Sequence, residues 1–377
     1  MGLTISICTN TLLSHSKEYT LELSECRVLT QTDASDSESM TKESDGDPNN
    51  KLSNTYSFRL AVLPKERVSE NVKRRHYEGG YTLWESTWFL LSVLHKEMES
   101  SKGSIVIDLG CGNGICGVLA LQRGYDVLFQ DLNWDVLENA VIPNVLLNLC
   151  YSDLQKLVNA RNKQKSGQND DSGDSKAEST EQADRVHKIG AANSVKPTTS
   201  SNINVILKSD EGEKHKYGSV AKLTTMSVEV LQDTETLKRL SNEACNEDVW
   251  LQNKVDLLAC LWEDIPSFSD TFLEKYSNLC AIIVASECIY RKENYPAIAN
   301  ILLHYLKADE GVAYIASKRL YFGMDGGSLE FRDYINKHHT YSANKLEAAI
   351  HRTHMLPKSS NVIDIVKVTK TLTAETL

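Results

Sequence analysis

The chain has 377 residues, with 41 Lys and Arg against 51 Asp and Glu, a net charge of −10. That balance argues against a general nucleic-acid binder, which needs basic patches to neutralise phosphates. A hydrophobic content of 41% can fill one good core, in one large domain or two, and no apolar run approaches the ~18 residues of a membrane-spanning helix.

Taken from the N-terminus, Met1-Gly2-x-x-x-Ser6 fits the N-myristoylation pattern, with Cys8 as a second lipid site. One myristoyl chain anchors only marginally. The alternative is that Leu3 to Cys8 forms a strand or a frayed end. Thr30 to Asn54 is rich in Ser, Asp, Glu and Asn, so 1–55 is expected to be a largely disordered segment. Apolar residues return near Tyr56. Tyr81 to Val93 reads as a helix, with apolar positions at Leu83, Thr87, Leu90, Leu91 and Leu94.

The most informative stretch is Ile105-Val106-Ile107-Asp108-Leu109-Gly110-Cys111-Gly112-Asn113-Gly114, an apolar strand entering a glycine turn, followed by a helical run from Ile115 to Gln122. Without Cβ atoms in the way, backbone N–H groups and a helix start can approach a ligand closely. Gly112-x-Gly114-x-x-Gly117 satisfies the dinucleotide fingerprint. Asp-x-Gly-x-Gly-x-Gly, from Asp108 to Gly114, is the form typical of S-adenosylmethionine (SAM) methyltransferases. An acid repels a pyrophosphate and attracts the cationic methionine end of SAM, which favours the second reading. Tyr125 to Asp131 is the next apolar run. Its closing acid lies about twenty residues past the loop, where a carboxylate accepts ribose hydroxyls, or where it caps the following helix. Cys111 in the loop reads as a tolerated small side chain.

A helix over Asp135 to Leu149 should be interrupted at Pro143. From 151 to 249 the pattern breaks down. Asn169 to Lys196 has too little to bury, so this stretch reads as a low-complexity insertion with weak order around Ser219 to Leu231. Strands follow at Val255–Cys260 and Ala281–Ser286, a helix at Tyr295–Leu306, and strands at Gly311–Ala316 and Val362–Val368. Joining 56–150 to 250–377 gives alternating strands and helices, hence a mostly parallel sheet covered on both faces. Ligands should sit beyond the carboxyl ends of its strands, where Gly110, Asp131, Trp262 and Ser286 fall. Nine cysteines without a CxxC pair or secretory leader read as reduced, mostly buried thiols of a cytoplasmic or nuclear protein. His351-x-x-His354 lacks further ligands at suitable spacing, so no metal is expected.

Several segments resemble one family, the histidine protein methyltransferase 1 family. They are His76-Tyr77-Glu78-Gly79-Gly80-Tyr81-Thr82-Leu83-Trp84-Glu85-Ser86-Thr87, the Asp108 to Gly114 loop, Gln130-Asp131-Leu132-Asn133, Pro143-Asn144-Val145, Ser286-Glu287-Cys288-Ile289-Tyr290 and Ser317 to Gly323. The likeness covers about 75–150 and 255–369. It implies a Rossmann-like class I SAM-methyltransferase fold, α/β, with a seven-stranded, mostly parallel sheet and an antiparallel final strand. It also implies SAM as cofactor and methylation of a histidine ring nitrogen on a large-subunit ribosomal protein. Carried over by position, SAM contacts fall to Leu83, Trp84, Glu85, Ser86, Thr87, Gly110, Gln130, Asp131, Trp262 and Ser286, with Asp108, Gly112 and Gly114 completing the loop. Two positions depart from the pattern: Ser86 replaces a cysteine, and Cys260-Leu261-Trp262 replaces Gly-x-Trp.

Methyl transfer from SAM is an in-line displacement, so positioning the nucleophile supplies most of the catalysis. Neutral imidazole, with a pKa of about 6.5, has a free lone pair at neutral pH. The product is cationic, which an acidic or aromatic wall stabilises. Glu287 and Tyr290 are the candidates for that wall, with Lys318 and Tyr321 for holding the substrate's backbone or ring. Gly323, Met324, Gly326 and Gly327 form a loop expected to close over substrate. The alternatives are a lysine or small-molecule methyltransferase, an NAD-dependent enzyme, or a SAM-binding scaffold without catalysis. A monomer is expected, with a protein partner and no nucleic acid.

Overall fold

A computed structural model of the chain describes residues 2–22, 27–33, 55–63, 76–98, 104–150, 155, 202–209, 222–231, 249–265, 276–339, 344–356 and 361–372. The N-terminal part supplies β1 (Gly2–Cys8), α1 (Thr9–Ser14), β2 (Ser16–Glu22), β3 (Arg27–Asp33) and β4 (Thr55–Ala61). Next come α2 (Glu85–Glu97), β5 (Ile105–Leu109), α3 (Ile115–Gln122), β6 (Asp126–Asp131) and α4 (Ile142–Leu149). β7 (Asn202–Ser209), β8 (Lys222–Leu231), β9 (Val249–Ala259) and β10 (Cys280–Ser286) follow. The chain ends with α5 (Tyr295–Tyr305), β11 (Val312–Lys318), α6 (Ser328–His338), β12 (Asn344–Met355) and β13 (Val362–Leu372).

The central strands are apolar on both sides, as parallel strands covered by helices must be. In β5, Val106 packs with α2, α3 and α4, while Ile107 and Leu109 join the opposite layer with α5 and α6. Ile282 and Val284 of β10 divide from Ile283 and Ala285 in the same way. The main sheet runs β1-β7-β8-β9-β6-β5-β10-β11-β13-β12. Its seven-stranded core, β9 to β12, is parallel across β9, β6, β5, β10 and β11, and β13 is antiparallel to both β11 and β12. The order reverses between β5 and β10, so the crevice at the carboxyl ends opens there.

The expected fold class is what forms, and the strands located from sequence lie where expected to within a few residues. Other elements differ. The helix expected from Tyr81 begins at Glu85, because Tyr77 to Trp84 is spent on a wall over the glycine loop: Tyr81 N–H donates to Tyr77 Oη and its carbonyl accepts from Asn113. Pro143 does not break the helix through Trp134–Val136 and Leu137–Val141. A π turn at Leu137–Val141 precedes it, which places the residue without an N–H in the first turn of α4. Residues 1–55 are not wholly irregular. Gly2–Cys8 pairs with Asn202–Ser209 out of the insertion, and β2 joins β3 and β4 in a second, three-stranded sheet. The insertion likewise adds β7 and β8, antiparallel, to the edge of β9. The polar runs 34–54 and 169–196 lie outside the described residues. No described helix is long and apolar enough to cross a membrane.

The small sheet docks through aromatic contacts. Phe58 stacks on Tyr19 with ring centroids 5.6 Å apart and lies 5.7 Å from Trp88 of α2. Helix α4 also satisfies the backbone of β4 with asparagine side chains. Asn148 Oδ1 accepts Arg59 N–H at 2.8 Å while its Nδ2 donates to Arg59 O at 2.7 Å. Asn144 accepts Ala61 N–H at 2.8 Å and donates to the carbonyl of Asn113 in the glycine loop at 2.9 Å. One buried amide thus joins β4, α4 and the loop. Replacing Asn144 by Ala strands the half-buried N–H of Ala61 and the buried C=O of Asn113, and urea denaturation should show a loss of about 2 kcal/mol. A loss below about 0.5 kcal/mol would mean that this bridge contributes nothing.

Candidate active site

At the end of β5 the chain turns through Gly110, Gly112 and Gly114, all at positive φ (61°, 51° and 70°). Gly112 shows why: besides its backbone angle, a Cβ there would lie 2.8 Å from the carbonyl oxygen of Gly80. The wall segment and the loop therefore meet backbone to backbone, an approach closed to any other residue. Gly112 N–H donates to Asp131 Oδ2 at 2.9 Å, and Gly117 N–H, in the first turn of α3, donates to Asp108 Oδ2 at 2.8 Å. Both acids are buried. Burial pushes Asp108 up to about 7, with the charge of Asp131 adding to it, and pushes Asp131 up to about 6 against its amide donors. Such sites favour a cation or a hydroxyl donor over an anion.

Gln130 supports the loop from behind. Its Oε1 accepts from Gly110 N–H at 3.1 Å and from Trp262 Nε1 at 2.8 Å, and its Nε2 donates to Cys260 O at 2.9 Å. The side chain is 1% exposed, and with its amide so engaged it aligns the ends of β5, β6 and β9. Trp262 forms part of the wall.

The cleft encloses about 1080 Å³ of empty space, some of it open to solvent. Its far side is Ser286-Glu287-Cys288 at the end of β10. Glu287 is held at φ 58°, an uncommon conformation for a side-chain-bearing residue and a form of strain that concentrates at functional sites. Its two carboxylate oxygens accept from Ser86 Oγ and Tyr321 Oη. Burial raises its pKa, and those hydrogen bonds, with Lys318 nearby, offset part of the rise. Tyr321 also meets Ser317 Oγ at 2.9 Å and accepts Lys318 N–H at 3.1 Å, and its own ionisation is pushed up by burial and by Glu287. Tyr290 donates to Glu78 Oε2 at 2.6 Å across the cleft and packs edge-on to Tyr321.

Of the residues singled out from sequence, Leu83, Trp84, Thr87, Asp108, Gly110, Gly112, Asp131, Trp262, Ser286, Glu287 and Tyr290 line the cleft. Thr87 Oγ1 meets Ser286 Oγ at 3.0 Å across it. Gly114 lies behind it as the N-cap of α3. Ser86, Gln130 and Tyr321 stand one step back, holding wall residues in place. Glu85 faces outward to Lys318, 3.5 Å away, and Lys318 does not line the cleft either. Glu78 lines it and was passed over, although it sits in a quoted motif. Only the fold brings it to Tyr290. Among the described residues no His, Cys, Asp and Glu grouping could hold a metal ion.

The strand order of the seven-stranded core, with β13 as its single reversed strand, and a glycine cradle flanked by two buried acids at the switch point, define a Rossmann-like class I methyltransferase fold. Within that class the sequence is similar to the histidine protein methyltransferase 1 proteins. The homolog from Bos taurus is 42% identical over 84 residues, 22% of each chain. The protein of Saccharomyces cerevisiae is 24% identical over 313 residues, 75% of this chain and 63% of that one. The chain thus spans less than two-thirds of the length of either relative. No family model matches. A solved structure described as a SAM-dependent methyltransferase from Streptococcus mutans overlaps 83% of this chain and 52% of its own at 10% identity and a TM-score of 0.40, too loose to add to the strand order.

The pKa of Asp108 in the folded chain, about 7, lies above its ordinary value of 3.8. Its contribution to stability is therefore fully present below about pH 4 and is lost as pH rises through 7. Asp108→Asn should flatten that part of the stability profile and leave the variant more stable than the parent at pH 8. Parallel profiles for the two proteins would show that Asp108 does not titrate there.

Proposed function

We propose that this chain is a SAM-dependent protein-histidine N-methyltransferase whose substrate is a large-subunit ribosomal protein. The observation that carries the reading is Glu287, a half-buried carboxylate fixed at the cleft lip by Ser86 and Tyr321 and lining the same cleft as the glycine cradle. The sequence likeness supports it independently.

The cradle suits SAM. Its loop lies against the Gly80 wall only because Gly112 has no side chain; Asp131 offers a carboxylate for ribose hydroxyls, and Asp108 a negative charge for the amino-acid end. When bound, SAM supplies an activated methyl group on a positively charged sulfur. The remaining work is to present one imidazole nitrogen in line with that methyl. Glu287, accepting the N–H of the substrate ring, selects the tautomer whose other nitrogen carries the free lone pair. Methylation of that nitrogen would leave the neutral thioether of the cofactor and a cationic ring, whose charge the carboxylate opposite would stabilise until the ring N–H proton passes through it to solvent. Tyr290 adds an aromatic face on the same side. The net negative charge of the chain suits approach to a basic partner.

The direct test is to incubate the purified chain with methyl-labelled SAM and dissociated large-subunit proteins from unmodified cells, then locate the label by mass spectrometry. Label on a histidine is expected. Label on lysine would keep the class and overturn the acceptor. Glu287→Ala should lower kcat on the modified protein by roughly two to three orders of magnitude, the scale of one lost electrostatic group, with SAM affinity within about threefold. Equal losses in SAM affinity and kcat would move Glu287 from acceptor positioning to cofactor binding. SAM affinity should also fall as pH drops below about 7, because its cationic end favours ionised Asp108. Affinity independent of pH between 5.5 and 8 would remove Asp108 from the cofactor site.

A further inference from the structure

Glu287 is held by two hydroxyls, and one of them has a second place to send its proton. Tyr321 Oη meets the Glu287 carboxylate, Ser317 Oγ at 2.9 Å and the main-chain N–H of Lys318 at 3.1 Å. The Lys318 N–H can only donate, so it occupies one lone pair of the phenol oxygen. The single phenol proton then goes either to Glu287 or to Ser317. Ser317 permits both, because its own hydroxyl reaches the carbonyl oxygen of Lys318 at 3.1 Å as well as Tyr321. Ser317 is fully buried, so solvent does not compete for these bonds.

Two arrangements therefore satisfy every group. With Glu287 ionised, Ser317 donates to Tyr321 and Tyr321 donates to the carboxylate. With Glu287 protonated, the acid proton is donated to Tyr321 Oη, Tyr321 donates to Ser317, and Ser317 donates to the Lys318 carbonyl. Only hydrogens differ between the two. Ser86 donates to the other carboxylate oxygen in either case. The charged groups around the lip do not force the choice. Lys318 and Glu85, 3.5 Å apart, act on Glu287 in opposite directions. Asp108 and Asp131 bear on the buried thiol of Cys288 beside it, and Tyr290 gives its proton to Glu78. Burial raises the pKa of Glu287, which brings the protonated form within reach.

Resting on the methyl-transfer reading above, we propose that Tyr321 and Ser317 form a hydrogen-bond switch that lets Glu287 serve as the base for the methylated ring, with Ser317 as a positioning residue. After methyl transfer the cationic ring gives its N–H proton to Glu287 Oε2. The electron pair of that N–H bond stays on the ring, which becomes neutral. The new O–H turns from the ring to Tyr321 Oη as the two hydroxyls reverse, so the proton is held away from the product. Once the product leaves, the acid loses its proton to solvent through the cleft that Glu287 lines, and the hydroxyls turn back. Tyr321 and Ser317 end with the protons they began with.

The test follows kcat against pH at saturating SAM and histidine peptide, so that cofactor affinity and free-peptide ionisation do not enter. An acid limb is expected, and Glu287→Gln should abolish it. Tyr321→Phe and Ser86→Ala each remove a charge-assisted donor from the carboxylate. Each should move the limb up by about 0.5 to 1 on the pH scale, the size of one hydrogen bond. Ser317→Ala should move it down by about the same amount. The protonated form then has no acceptor for the Tyr321 proton, and a buried donor without an acceptor costs more than an unused lone pair. Ser317→Cys, whose sulfur accepts weakly, should move the limb the same way by less. A general loosening of the lip would not give opposite signs for Tyr321 and Ser317. Where turnover is too slow, the same shifts are read from the 13C resonance of the Glu287 carboxyl, assigned by its absence in Glu287→Gln. Label on histidine with the limb unmoved or raised in Ser317→Ala overturns the switch and leaves the methyl-transfer reading standing. SAM bound with no histidine labelled by the parent chain overturns both.

Discussion

The amide of Gln130 is the constraint on which the cleft depends. Fully buried, it accepts from the first residue of the glycine turn and from the Trp262 indole, and it donates to the main chain at Cys260. Three strand ends are thereby aligned by one side chain whose polar atoms are all paired, so none has to be desolvated without compensation. The loop above inherits its shape: Gly112 then sits where its N–H meets Asp131 and its Cα faces Gly80 O. Movement of Gln130 would shift both walls of the cleft together.

On that base the two halves of the site do different chemistry. The cradle side presents backbone N–H groups, already taken by Asp108 and Asp131, and the ionisation of two acids held near neutrality by burial. The lip side presents Glu287, clamped by Ser86 and Tyr321 in a backbone conformation that L-residues seldom adopt. Strain is tolerated there because β10, β11 and the hydroxyl pair over-determine the position: Glu287 N–H is held by Ala316 O at 2.9 Å. A histidine offered between the halves would meet an acceptor for its N–H on one side and the cofactor's methyl on the other.

Much of this was legible in the sequence because the core strands are short, apolar and bounded by glycine or acid, and because Asp108, the glycines and Asp131 occur at ligand-binding spacing. What was not legible had physical causes. β12 alternates weakly: the charged Lys345, Glu347 and Arg352 sit on an edge strand with a bulge after Ile350, while His354 packs on Phe89 of α2. α6 buries only Ser328, Phe331 and Ile335 among its eleven residues, too sparse a stripe to read. β1, β7 and β8 gain their order by pairing across long sequence separations, which local composition does not register. Ser86 and Gln130 could be placed near the site from motifs, but only the fold shows that they support wall residues from behind. Glu78 acquires its role only through its contact with Tyr290.

The most direct test of the central claim is a calorimetric titration of SAM into the parent chain and into Gly112→Arg. The account predicts one-to-one binding in the parent and none in the variant, whose side chain would push the loop and Gly80 apart, with both proteins folded by circular dichroism. Binding of equal strength in the two, or none in the parent, would contradict the assignment of this cleft to SAM.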